Sequence, residues 1–104
     1  MKIKLILTTT NSKDSAQNIS QALIENKLTP CIQILPNITS IYRWENKINK
    51  ENEYLLIIKV LDKYLDRCIS LISEIHNYDT PEIIEVGANI LNQSYSNWFK
   101  ENSK

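Results

Sequence analysis

Residues 31–60 read Cys31-Ile-Gln-Ile-Leu-Pro36-Asn-Ile-Thr-Ser-Ile-Tyr-Arg-Trp44, then Glu45-Asn46-Lys47, then Ile48-Asn-Lys-Glu-Asn-Glu-Tyr54-Leu-Leu-Ile-Ile-Lys-Val60. The first run is rich in β-branched and aromatic residues, which suit a pleated strand. Pro36-Asn37 interrupts it, and proline cannot donate to a central ladder. An edge strand with a bulge or bend is therefore predicted. Glu45-Asn46-Lys47 is a short polar break, and Asn46 tolerates the left-handed conformation of a tight turn. The return run is apolar on both faces from Tyr54 to Val60, as befits a central strand covered on both sides. Residues 31–60 thus predict a long hairpin.

On its N-terminal side, residues 2–8 alternate, with Ile3, Leu5 and Leu7 facing one way and Lys2 and Lys4 the other. This pattern predicts a first strand. Asn11-Ser12-Lys13-Asp14 offers capping oxygens for a helix whose apolar stripe is Ala16, Ile19, Leu23 and Leu28. Pro30 bars its continuation. On the C-terminal side, Asp62 is placed to cap a helix with the stripe Leu65, Cys68, Ile69, Ile72 and Ile75, ending near His76-Asn77. Thr80-Pro81 restarts an extended segment, and residues 82–86 read as a fourth strand. Gly87 to Ser94 reads as linker, and Tyr95, Trp98 and Phe99 share one face of a short terminal helix.

The order is β-α-β-β-α-β-α. Two β-α-β halves joined by a hairpin predict an α+β, ferredoxin-like split β-α-β sandwich spanning residues 1–104 as a single domain, with an extended hairpin and a short C-terminal helix. Strands one and three should be central. Two helices cover only one face of such a sheet. The apolar second face, the hairpin residues Ile38, Ile41, Tyr42, Trp44 and Ile48, and two free edges point to a closed homo-oligomer built through the sheets.

Composition narrows the function classes. The 104 residues carry 12 Lys+Arg and 12 Asp+Glu, with 42 % apolar residues, as in an ordinary globular domain. Balanced charge removes the attraction on which non-specific nucleic-acid and anionic-membrane binders rely. No stretch approaches the roughly 20 apolar residues of a membrane helix, and the N-terminus lacks a signal-peptide pattern, so the expected location is cytoplasmic. Cys31 and Cys68, in no metal or redox spacing, read as reduced thiols. One His and two Cys cannot furnish a four-ligand Cys/His zinc site within one chain. No phosphate loop or catalytic triad stands out, so an enzyme is not expected.

Several runs then match a known pattern in order and spacing: Cys31–Pro36, Ser40–Lys47, Glu53–Lys59, His76-Asn-Tyr78-Asp-Thr-Pro81-Glu82-Ile-Ile84 and Tyr95…Trp98. Together they resemble the CutA family of divalent-cation-tolerance proteins over essentially the whole chain. The resemblance implies a ferredoxin-like protomer in a tight homotrimer with interlocking hairpins, and an association with copper and other divalent cations. There are departures. Asn46 stands where the family's turn usually has Gly, and His76-Asn77-Tyr78 replaces His-Pro-Tyr. Some bacterial members have a cysteine at the end of strand one and a His-His pair proposed to bind copper. Thr8 and Ile75-His76 occupy those positions, so that site does not carry over.

Candidate ligands are few. His76 is the one imidazole, either a weak Cu²⁺ or other divalent-cation ligand aided by Asp79 or Glu82, or a histidine serving a helix C-terminus. Cys31 is either a soft ligand for Cu(I) or a buried core thiol. Lys59, Glu53, Tyr78 and Glu82 sit at element ends. With Tyr42 and Trp44 they are expected either to line an inter-subunit cleft or to form interface pairs. The leading function is a trimeric, non-enzymatic, divalent-metal-binding protein for metal tolerance, with no organic cofactor. The alternative is a trimer that senses a small anionic molecule or binds a partner, comparable with PII-type signalling proteins.

Overall fold

A β2-β3-β1-β4 antiparallel sheet forms the body of the computed structural model, which describes residues 1–104. Its strands are β1 (Lys2–Thr10), β2 (Cys31–Trp44), β3 (Lys47–Val60) and β4 (Ile84–Asn89). Helices α1 (Lys13–Glu25), α2 (Leu65–Ile75) and α3 (Gln93–Glu101) complete the order expected from the sequence. The predicted fold class and the central places of β1 and β3 are correct. The hairpin of β2 and β3 gives the molecule its long axis, 46 Å against 25 and 21 Å.

One face of the sheet makes the core. Ile6, Leu56, Ile58 and Val60 meet Ala16, Ile19 and Leu23 of α1 and Cys68 and Ile72 of α2. Each such Ile or Leu removed from water is worth roughly 1.5–3 kcal/mol. Ser12 caps α1 by accepting the Ser15 N–H at 3.1 Å. Leu28, read as part of the α1 stripe, is buried but lies beyond the helix, after Lys27 turns the chain at φ 57°. Asp62 makes no capping bond, because Asp62–Tyr64 first winds as a tight 3₁₀ turn and α2 begins only at Leu65. Burial pushes the Cys68 thiol up to about 11, which leaves it an inert packing group.

The other face meets only α3, at one end, where Tyr95 lies against Lys59, and the rest carries no such cover. Antiparallel partners share a face. The pairs Leu5–Lys59, Leu7–Ile57 and Thr9–Leu55 therefore line up on this side with Cys31, Gln33 and Leu35 of β2 and with Val86 and Ile84 of β4. Leu35, Ile84 and Val86 are exposed by 40, 49 and 41 %.

Between Leu35 and Ile38 the β2 ladder shifts: Leu35 pairs with Leu55 and Ile38 with Glu53, so Pro36 and Asn37 together oppose Tyr54. This is the bulge that Pro36-Asn37 predicts, with Asn37 at φ 61°. It reverses the strand's parity. Ser40, Tyr42 and Trp44 thereby continue the open face begun by Cys31, Gln33 and Leu35.

β4 corrects the predicted boundaries. It spans 84–89, not 82–86, and Gly87 and Ala88, read as linker, pair with Lys4 and Ile3. A Cβ at Gly87 would meet nothing within 4 Å, so glycine there answers no steric demand. The ladder with β1 holds the segment, and Ile90 extends it by exchanging backbone bonds with Met1. In α3, Phe99 is fully buried while Trp98 lies 40 % exposed, stacked on Tyr95 at 5.4 Å.

Candidate functional site

The outer half of the hairpin, the end of β1 and the segment after α2 line a cleft of about 730 Å³. Glu51 and Glu53, two apart on β3, point to the same side of the strand. Glu53 is only 5 % exposed, and one of its carboxylate oxygens accepts the Tyr78 hydroxyl at 2.6 Å. Glu51 accepts from the Tyr42 hydroxyl at 2.8 Å and from Asn11 Nδ2 at 2.9 Å. Asn77 Nδ2 donates to Asn11 Oδ1 at 3.0 Å, and Thr10 Oγ1 donates to Asn77 Oδ1 at 2.6 Å. A continuous hydrogen-bonded chain thus ties β1, the hairpin and the α2–β4 connection around the two carboxylates.

Both tyrosines are shifted by this environment. Tyr78 is raised well above the ordinary phenol value by burial and then by Glu53; Tyr42 is raised mainly by its bond to Glu51. Each remains a neutral donor to its carboxylate.

His76 stands at the C-terminal end of α2 with both ring nitrogens in use. Nδ1 accepts the Tyr78 backbone N–H at 3.0 Å, and Nε2 lies 2.9 Å from the Thr9 carbonyl oxygen. A carbonyl only accepts, so Nε2 carries the proton and the ring is neutral. Burial lowers its pKa below the usual value, outweighing the opposing pull of the Thr9 bond. No lone pair is left for a metal while these two bonds stand. His76 does stand at the helix terminus, but its ring bonds Thr9 of β1 and the Tyr78 backbone, not the last carbonyls of α2.

The predicted site residues fall into two groups. Glu53, Tyr78, Tyr42 and Trp44, expected in a cleft, line one together with Asp79 and Glu82. Lys59 and Cys31 do not. They pair across β3 and β2, and Lys59 Nζ lies 3.7 Å from Cys31 Sγ and 3.5 Å from the Tyr95 hydroxyl. Six residues of extended strand, about 20 Å, separate Lys59 from Glu53. Within the chain the set His76, Cys31, Asp79 and Glu82 therefore does not converge, and no three His, Cys, Asp or Glu side chains come together to hold a metal ion. The residues present do not fit a tightly held resident metal.

Sequence reasoning missed Glu51, Asn11 and Asn77. The i, i+2 relation of Glu51 and Glu53 was the available signal for the first. The two asparagines come from connections whose proximity depends on the sheet pairing.

The cleft carries four carboxylates, Glu51, Glu53, Asp79 and Glu82, and no Lys, Arg or His lines it. The chain's one ion pair within 4 Å, Lys4–Glu85 at 3.3 Å, lies elsewhere. The family description "CutA1 divalent ion tolerance protein" matches residues 4–102. The chain belongs to this family. It is 32 % identical over 100 residues to the divalent-cation tolerance protein CutA of Thermus thermophilus, a match covering 96 % of this chain and 97 % of that protein. It is also 32 % identical to the chloroplastic protein CutA 1 of Oryza sativa, over 96 % of this chain and 56 % of the longer plant protein. The crystal structure of the CutA1 protein from Ehrlichia chaffeensis superposes with a TM-score of 0.92 at 36 % identity, over 98 % of this chain and 95 % of that one. The CutA1 fold is thus shared along nearly the entire chain.

Proposed function

We propose that this CutA1-family protein acts in divalent-cation tolerance as a cytoplasmic homotrimer. It holds such ions weakly and exchangeably in the cleft and catalyses no reaction. The observation that carries this reading is the set of four cleft carboxylates without a basic neighbour. Oxygen donors of this kind attract divalent ions, and Cu²⁺ heads the first-row affinity order for a given donor set, so copper is foremost among them. The open apolar face of the sheet supports the assembly, since exposed apolar area of this extent marks an interface. Packing copies on that face would also turn the cleft into a pocket shared between subunits. The alternative of an anionic metabolite finds less support, because Lys59 lies about 20 Å along the strand from Glu53.

Calorimetric titration of Cu²⁺ into the wild-type protein and a Glu51→Gln/Glu53→Gln variant tests the site. The expected result is binding about tenfold weaker or worse in the variant, in line with the loss of two charged ligands. Unchanged binding there, together with its loss in Cys31→Ser, would move the metal to the thiol and overturn the cleft assignment.

A further inference from the structure

We propose that His76 is a pH-sensitive latch: its neutral ring holds residues 77–83 against the sheet, and protonation of that ring releases them. Little else fastens the main chain there. No main-chain group of residues 77–83 bonds another main-chain group, and Tyr78 N–H to His76 Nδ1, at 3.0 Å, is the one hydrogen bond that the segment's main chain makes. The strand ladder resumes only at Ile84.

Each ring nitrogen has a fixed role. Nε2–H donates to the Thr9 carbonyl at 2.9 Å, which ties the ring to β1. Nδ1 accepts, and only an unprotonated nitrogen can do so. A proton on Nδ1 sets donor against donor at the Tyr78 N–H. The Thr9 bond needs the same Nε2–H in both states, so the ring stays on β1 and the segment moves. Tyr78 carries that movement into the cleft. Its hydroxyl donates to buried Glu53 at 2.6 Å, and Asp79, Thr80 and Glu82 of the same segment line the cleft. Asn77, bonded to Thr10 and Asn11, marks the fixed near end.

The groups around the ring oppose one another. Glu53 of β3 favours the protonated form, burial favours the neutral one more strongly, and β1 brings the uncharged Thr9 carbonyl. Glu74 of α2 faces the groove beside α1 instead. Tyr78, its ring centroid 5.0 Å away, is held as a neutral phenol by burial and Glu53. The latch is therefore closed at neutral pH, and it opens below the ordinary histidine value of about 6.5. It acts on the chain's own segment, whatever the cleft binds.

The test is amide hydrogen exchange, followed by NMR on the assembled protein with a chelator in the buffer. Protection of the Tyr78 amide, corrected for the intrinsic pH dependence of exchange, should fall about tenfold or more between about pH 7.5 and pH 5. Amides of the β1–β3 ladder should keep theirs. Carboxylates ordinarily titrate near about pH 4, below this window. His76→Gln retains a side-chain N–H for Thr9 but no titrating ring, so its Tyr78 protection should be the same at both pH values. If that variant fails to fold, the wild type decides alone: the midpoint of the Tyr78 loss has to coincide with the titration of the His76 ring protons in the same spectra. Constant Tyr78 protection in the wild type, an equal loss in His76→Gln, or midpoints that differ each overturn the proposal.

Discussion

His76 is the residue whose chemistry departs most from what its rarity suggests. Its Nδ1 accepts and its Nε2 donates, so the neutral ring stitches the end of α2 to β1. Protonating Nδ1 would set a donor against the Tyr78 N–H. The folded-state pKa lies below the ordinary value of about 6.5. The unfolded chain therefore binds the proton more readily, and stability must fall as pH drops. The contribution is complete above the unfolded value and is lost on descending through it toward the lower folded value. Melting temperature should decline more steeply between about pH 7 and pH 5 in the wild type than in His76→Gln. Parallel declines would mean that the ring's two bonds contribute nothing. Tyr78→Phe removes the hydroxyl that serves buried Glu53. Urea unfolding should show a loss of about 1.5–3 kcal/mol, the worth of a hydrogen bond to a charged group.

Among the elements, the bulged strand β2 does most to place the cleft. Without the extra residue, Tyr42 and Trp44 would face the side of the helices, and Glu51 would lose the Tyr42 hydroxyl. Asn37 makes the bulge at φ 61°, a conformation that a β-branched residue resists. Asn37→Val should cost about 1–2 kcal/mol by urea unfolding, whereas Asn37→Gly should be close to neutral. Equal effects of the two would show that the strand absorbs the change elsewhere. The turn at Glu45-Asn46, with φ 50° and 61°, has the backbone of a type I′ hairpin. Asn46 is the residue that sequence reasoning assigned to that conformation, and Glu45 adopts it without any such signal. β4 shows the opposite case: its residues carry weak strand preference at Gly87 and Ala88, and pairing with β1 overrides it.

For the whole molecule, the decisive contrast is between the two faces of one sheet. One is covered by α1 and α2; the other presents Leu5, Leu7, Leu35, Leu55, Ile57, Ile84 and Val86. If copies of the chain pack there, a charge in its middle must disrupt the assembly while leaving the helical core in place. Ile57→Lys should therefore sediment as a monomer at micromolar concentration and keep its far-ultraviolet circular dichroism. A wild-type-sized particle from Ile57→Lys would place the contact on another surface. The only charges that the strand pairing puts on this face are Lys47, Lys59, Glu51 and Glu53.

Element type, strand order, the hairpin with its bulge, and the apolar second face were all legible in residue order. These follow from alternation, helical spacing, proline's missing N–H and asparagine's tolerance of positive φ, which act over a few residues. The family, too, was legible in the order and spacing of the runs from Cys31 to Trp98. What the residue order could not reveal is which polar groups meet. Lys59 resembled a cleft residue, and Cys31 and His76 candidate ligands, yet sheet register carries Lys59 and Cys31 to the far end of the strand, and bonds to Thr9 and Tyr78 occupy both nitrogens of His76. Asn11, Glu51 and Asn77 converge from positions up to 66 residues apart. Hydrogen bonds between side chains so distant form only after the strands have paired and the helices have packed. The cleft is consequently a property of the folded sheet, and its chemistry appears only once the chain has closed around Glu53.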